Sequence, residues 1–331
     1  MSQMTTKNVF SQAVDAAVRA LWSTHQEDQD SELYGPNLGF SQYEPDVPSE
    51  QVSSTSGPGK GILTIEGQRY GENTKYKGYP VTVSLDKFTS ELEWTEEDLY
   101  FLKKMRSSKR ATNFVSAVEG AVNALNANLN EEAAKVFYLG HGTTNLSSGD
   151  GLALYDDAHT IRAGGTQGNN FGNGNTHLPF SSANLVTMVN RMNRFQNHNG
   201  RQMLPCRNLK VYGPVELLPA IDQALNSLYG PATANLGLQQ GSKEAFRRRG
   251  INIDSVVIPD FPSAYSTYWG VIDMNRAKYR AFLAAAWMPR MNEENSFSKG
   301  TFANEASTLF GYYFNDWQWT GGSKGDNSTI S

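Results

Sequence analysis

One cysteine in 331 residues, Cys206, rules out an intrachain disulfide framework, and a lone thiol fits synthesis in a reducing compartment such as a cytoplasm. Histidine is nearly as scarce. His25, His141, His159, His177 and His198 are scattered among Gly- and Asn-rich segments, and no GxSxG elbow accompanies them. Charged residues make up only 19% of the chain, below the roughly 25% of ordinary soluble domains. The net charge of -4 gives no global basic footprint for nucleic acid, so any contact with DNA is local and weak. No apolar run approaches the roughly 18 residues of a membrane helix. The start, MSQMTTKNVFSQAVDAAVRALW, shows neither the basic leader nor the apolar core of a secretory signal.

Hydrophobic residues at 39% supply a core, and the length suits two compact domains or one with long extensions. Abundant Gly and Asn with 11% aromatics fit a loop-rich monomer and an assembly subunit equally. Apolar spacing predicts a short amphipathic helix over 8–22, with Phe10, Val14, Val18 and Leu21 on one face. Residues 25–59 are rich in Pro, Ser, Gly and acids, with Tyr34, Phe40 and Tyr43 as isolated anchors. That segment reads either as an arm laid across a neighbour or as an acidic linker.

Alternation over 61–66 and 79–94 predicts a two-stranded ribbon with a polar tip, its second strand about 50 Å long. The apolar phase slips from odd positions (Tyr79, Val81, Val83, Leu85) to even ones (Phe88, Leu92, Trp94), which places a break near Asp86 and Lys87. Thr95 and the acids after it open a long helix through Leu129, weakened at Gly120 and extended by a turn at Glu131–Lys135. VFYLG at 136–140 then reads as a strand. Beyond the Gly- and Asn-dense segment 140–177, the pattern predicts a helix over 185–195, a strand at LKVYG and a helix opened by Pro214 through Leu228. Strands follow at 256–258, 269–274, 280–287 and 306–319, with a loose tail after them.

Residues that attract attention as chemistry have plainer readings. Asp156, Asp157 and His159 invite a metal, but no further ligand stands at the right spacing. SGPGKG at 56–61 lacks the first Gly and the Ser or Thr of a phosphate loop, and reads as a hinge. FRRRG at 246–250 is the one basic cluster, favouring a solvated face or intersubunit pair over DNA. Trp287, Phe310, Tyr312, Tyr313, Phe314, Trp317 and Trp319 read as core and interface packing. No catalytic, cofactor-binding or metal residue is assigned.

GDGLALYDDAHTIRAGGTQGNN at 149–170, LKVYGPVELLPAIDQALNSLYG at 209–230, SVVIPDF and YWGVIDM occur in an order that resembles the second half of tailed-bacteriophage major capsid proteins. These are the icosahedral shell subunits of the Hong Kong ninety-seven type. The resemblance implies a mixed α/β fold in which residues 1–54 form an N-terminal arm and 55–94 an extended β-hairpin loop with its return strand. It further implies a peripheral domain with a spine helix over 95–145, an axial domain over 146–286, a return to the peripheral domain over 287–320 and a flexible tail over 321–331. The function implied is not enzymatic and needs no cofactor: self-assembly through hexamers and pentamers into the phage head. Portal, scaffold and decoration proteins are further expected partners, with weak, non-specific contact to packaged double-stranded DNA and none to a membrane. The expected location is the virion, after synthesis in the bacterial cytoplasm. The start lacks the long charged helical segment that serves some relatives as a built-in scaffold. Lys75 and Lys77 lie where the founding member forms isopeptide bonds, but no partner Asn or assisting Glu can be matched, so that chemistry is not carried over. The alternatives are an encapsulin-like nanocompartment shell and a soluble metal-dependent hydrolase using Asp156, Asp157 and His159.

Overall fold

The computed structural model of the chain describes residues 18–24, 35–47, 49–55, 77–95, 108–143, 149–173, 176–226, 242–291, 296–298 and 301–328. Strands β1 (Ser41–Tyr43), β2 (Ser49–Thr55), β3 (Lys77–Ser84) and β4 (Asp86–Thr95) come first, followed by helix α1 (Ser108–Tyr138). Two small hairpins, β5 (His159–Thr160) with β6 (Thr166–Gln167) and β7 (Gly172–Asn173) with β8 (Thr176–His177), precede helix α2 (Ser182–Met192). Strand β9 (Asn208–Gly213) then leads through helices α3 (Leu218–Asn226) and α4 (Ser242–Arg248) to its parallel neighbour β10 (Asn252–Val257). Strand β11 (Trp269–Asp273), the short helix α5 (Met274–Ala277), β12 (Ala281–Met291), β13 (Ser296–Ser298), β14 (Thr301–Phe314) and β15 (Thr320–Ser323) complete the order.

Two larger sheets form the body of the fold, beside the two-stranded pairs β2–β3, β5–β6 and β7–β8. One runs β1-β12-β14-β13 with β4 also paired to β14, and the other runs β10-β9-β11-β15. Helix α1 serves both. Its 31 residues span about 46 Å, and its apolar stripe recurs every three or four positions. Val118, Ala121, Val122 and Leu125 pack with Val18 and Trp22 of the helical residues 18–24 and with Met291 and Ala306 of the first sheet. Leu129, Ala133, Val136 and Phe137 continue into the main core, which also holds Leu209, Val211, Trp269, Phe310 and Trp319. The expected strand at 136–140 is therefore the last turn of α1 and the turn that follows it. Its apolar residues extend the same stripe, and Lys135 closes on Glu132 and Glu131 at 2.7 and 3.1 Å. Gly120, expected to weaken the helix, sits on its exposed face, where an added Cβ would meet nothing. Thr95, expected to open the helix, ends strand β4, and residues 96–107 lie outside the described residues.

The ribbon differs from expectation in its partners. β3 pairs antiparallel with β2, a segment assigned to the arm, while the expected partner at 61–66 and the tip lie outside the described residues. The phase slip marks a change of sheet. At Leu85 the chain leaves the ribbon, and β4 joins β14 through ten register pairs from Asp86↔Phe310 to Thr95↔Thr301. The single 50 Å strand is thus two shorter strands in two sheets.

The root of the ribbon is fastened to the body of the chain. Val83 packs with Ala284 and Tyr313, with Val52, Leu85 and Phe282 around them, on the sheet face opposite the main core. Tyr79 donates to or accepts from Thr160 at 2.7 Å, and Arg162 lies 3.7 Å from the centre of its ring. Gly311 lets the backbones meet, because a Cβ there would collide with the Ser84 carbonyl. Phe40 and Tyr43, expected as anchors on a neighbour, also turn inward. Phe40 lies edge-on to Phe137, Tyr312 and Trp319, and Tyr43 to Phe282 and Tyr313.

The end of the chain overturns the expectation of one closing strand and a loose tail. β14 stops at Phe314, and every residue from Tyr313 to Ser323 is buried. Thr320–Ser323 then forms β15 against β11. Its glycines permit this, since a Cβ on Gly322 would strike the Tyr155 ring at 2.8 Å. β11 is buried at all five positions, as a strand covered on both faces must be.

Replacing Gly311 by Ala is expected to cost about 1–3 kcal/mol through overpacking. Hydrogen exchange should show faster exchange across Lys77–Ser84 with α1 unchanged; unaltered protection of β3 would mean that the seat does not depend on this glycine.

Candidate functional site

The sequence singled out Asp156, Asp157 and His159, and the fold uses them for structure. His159 is fully buried, its Nδ1 2.9 Å from Asp150 Oδ2 and its Nε2 3.1 Å from the Leu154 carbonyl. Its ring stacks on Trp317 at 4.5 Å and 7°. Both nitrogens are thus engaged. Asp156 Oδ1 accepts the Ala158 N–H, and Asp157 faces Arg191 at 3.7 Å, its pKa raised by partial burial against the pull of that cation. Among the described residues no group of three His, Cys, Asp or Glu could hold a metal.

The hub missing from the sequence reading is Asn169. Its amide donates to the carbonyls of Leu154, Thr320 and Trp317 at 2.8, 3.1 and 3.3 Å, and its Oδ1 accepts the Asp156 N–H at 3.1 Å. One buried side chain therefore holds the 150s loop to the end of the chain. Of the other histidines, His25 lies outside the described residues, and His141 and His177 meet edge to face at 5.6 Å. His198 Nε2 lies 3.6 Å from Asp316 Oδ2, which also faces Arg280 Nε at 3.3 Å. Burial alone would raise the Asp316 carboxyl, but His198 and Arg280 outweigh it and lower its pKa. Ser54 is the hydroxyl next to this group, yet its Oγ has no hydrogen-bond partner among the described residues, so no Ser–His relay is built. Cys206 is buried and its thiol pushed up to about 12, chiefly by desolvation, which keeps it unreactive.

Of the other singled-out residues, Lys75 and the SGPGKG hinge lie outside the described residues, and Lys77 is exposed at the start of β3. In FRRRG, Phe246 is buried under α4 while Arg247, Arg248 and Arg249 face solvent. The aromatic set divides as packing requires. Phe310, Phe314, Trp317 and Trp319 are in the main core, Tyr313 is under the ribbon, and Trp287 is half-buried beneath Arg290, 4.5 Å from its ring.

What remains outward is a groove of about 730 Å³ between β2, the loop 197–207 and the turn after α5. Ser54, Asn197, Leu204, Arg207, Tyr279 and Arg280 are among its lining residues. Leu204 is 86% exposed and Tyr279 67% exposed. The backbone under Leu204 is fixed: buried Arg276 donates to its carbonyl at 2.7 Å while pairing with Asp273 at 3.1 Å. Leu204 is thus presented to solvent on a backbone that Arg276 holds in place. The stretch from Ala158 to Val215, which supplies the loop 197–207, has six basic residues and no Asp or Glu.

No protein-family model matches the chain, and no curated protein matches it in sequence. Solved structures match it in fold. The capsid of a native GTA particle is similar with a TM-score of 0.50 at 14% identity, over 90% of each chain. The capsid of Myoviridae phage XM1 aligns with a TM-score of 0.49 at 10% identity, over 90% of this chain and 92% of that one. A virus-like particle from Pyrococcus furiosus gives 0.49 at 8% identity, over 92% and 98%. The first likeness establishes the fold. The chain has the mixed α/β capsid fold of the Hong Kong ninety-seven type.

The desolvated imidazole of His141 sets an acid limit on the stability of the chain. His141 has its Nδ1 closed off without a hydrogen-bond partner among the described residues, with the rings of Tyr155, Tyr268 and His177 at 4.7, 5.2 and 5.6 Å. Desolvation, then the nearby His177 and Lys324, hold its pKa well below the ordinary value. The unfolded chain therefore takes up the proton first. Stability is full above about pH 6.5 and falls as the pH drops below it. The melting temperature of His141→Phe should fall less between pH 7.5 and 5.5 than that of the unsubstituted chain; an equal fall would place the acid sensitivity elsewhere.

Proposed function

We propose that the chain is a major capsid protein, the subunit of an icosahedral phage head around double-stranded DNA. The observation that carries this reading is the fold shared over 90% of both chains with the capsid of a native GTA particle. Three features of the surface support it. Leu204 and Tyr279 are held out into solvent, β4 pairs on only one side among the described residues, and a ribbon seated at its root joins its strands through residues 56–76. An isolated hairpin is marginal in water, and the extended loop expected from the sequence would find its surface on a neighbouring copy. Small contacts suffice, since each is repeated around a closed shell.

The partners follow from this reading. Copies of the chain form hexamers and pentamers. Portal, scaffold and decoration proteins meet the finished or growing shell, and DNA is contacted weakly because the chain is net acidic. The reading places the chain in the virion after synthesis in the host cytoplasm, with no chemical step of its own. No helix of the described residues is long and apolar enough to cross a membrane.

Replacing residues 58–74 by an Asn-Gly turn leaves β2 and β3 intact and removes the reach of the ribbon. The variant should melt within a few degrees of the full chain yet form no closed shells by electron microscopy, where the full chain does. Normal shells from the shortened chain would contradict the role given to the ribbon.

A further inference from the structure

We propose that the groove beside Leu204 and Tyr279 receives the acidic edge strand β4 of a second copy of this chain, a head-to-tail contact that rests on the shell reading above. Its cationic side is specific. Arg207 lines the groove, and Arg194 and Arg201 flank it in the loop leading there. The guanidinium groups of all three make no hydrogen bond or ion pair among the described residues. The acids of the groove, Asp273 and Asp316, are buried and already committed to Arg276, Arg280 and His198.

The complementary surface is on β4. From Asp86 to Asp98 the sequence has six acids against one lysine. Alternation in β4 turns Lys87, Thr89, Glu91 and Glu93 outward on one face. Glu91 stands in register with Glu305 of β14. The edge of β4 away from β14 pairs with no strand among the described residues, so an occupant can also engage its backbone.

One subunit cannot make this contact with itself. Glu93 lies opposite Ala303, whereas the groove sits by the other end of β14, where Phe314 meets Ala281. Eleven residues of strand separate them, about 36 Å. Two different patches that fit each other but lie far apart on one rigid body make a heterologous interface. Such interfaces repeat until a ring closes. The exposed Leu204 and Tyr279 supply the apolar centre of the contact, and the arginine–carboxylate pairs at its rim set register and partner choice.

Charge reversal tests the pairing in the full chain. Arg207→Glu alone, and Glu91→Arg with Glu93→Arg, should each raise the concentration needed for shell formation by about tenfold or more. The melting temperature of the dissociated subunit should not change, since all three residues are exposed. Combining the three substitutions should restore assembly toward that of the unsubstituted chain. Failure of the combination to restore assembly, with each variant folded, would overturn the pairing, as would Arg207→Glu subunits that assemble like the unsubstituted chain. Shells indifferent to every reversal overturn this contact alone, whereas an unsubstituted chain that never assembles overturns the shell reading together with it.

Discussion

The rest of the structure depends on the buried passage of the chain from Tyr313 to Ser323. This segment leaves one sheet at Phe314 and enters the other at Thr320, so that two separate layers become one body. Several of its side chains and carbonyls are held by partners from distant parts of the chain. Trp317 stacks on His159, Asp316 meets Arg280 and His198, the Trp317 and Thr320 carbonyls accept from Asn169, and Gln318 donates to the Gln196 carbonyl at 2.7 Å. Buried polar groups satisfied in this way specify a single arrangement, because any slip would strand several of them without partners. Helix α1 supports the same union from one side, with Phe137 edge-on to Trp319 at 6.0 Å.

The titratable groups that drew attention in the sequence are consumed in holding loops, and what faces water includes a pinned leucine, a tyrosine, the arginines Arg194, Arg201 and Arg207, and an edge strand with two glutamates. Rigid placement matters for assembly, because a patch presented on a fixed backbone loses little freedom when a partner covers it. The ribbon obeys the same logic at its root, where Gly311 and the residues around Val83 fix the direction in which it leaves the body.

Much of this was legible from spacing alone. The stripe on α1, the strand at LKVYG, the helix after Pro214 and the phase slip near Asp86 all followed from periodicity, which the backbone geometry imposes directly. The strand wrongly read at VFYLG shows the limit: a short apolar run looks the same in a buried helix turn and in a strand. The C-terminal glycines misled for a related reason. GGS has the composition of a loose tail, and only the Tyr155 ring, over 160 residues away in sequence, explains why small residues are needed in a buried strand. Partner choice in the ribbon was also invisible, since alternation reports that a segment is a strand but not which strand it meets. The candidate assembly groove gave one sequence signal, a long stretch without Asp or Glu, while its apolar centre depends on Arg276 reaching across the fold to the Leu204 carbonyl.

The central claim is that the chain is complete in its core and incomplete at its surface, so that it finishes its contacts only among copies of itself. Sedimentation velocity of the purified full chain over a wide range of concentration tests this most directly. The account predicts a cooperative step from subunit or small ring to a single megadalton class with little between them. A chain that sediments as one folded monomer at every concentration would contradict it.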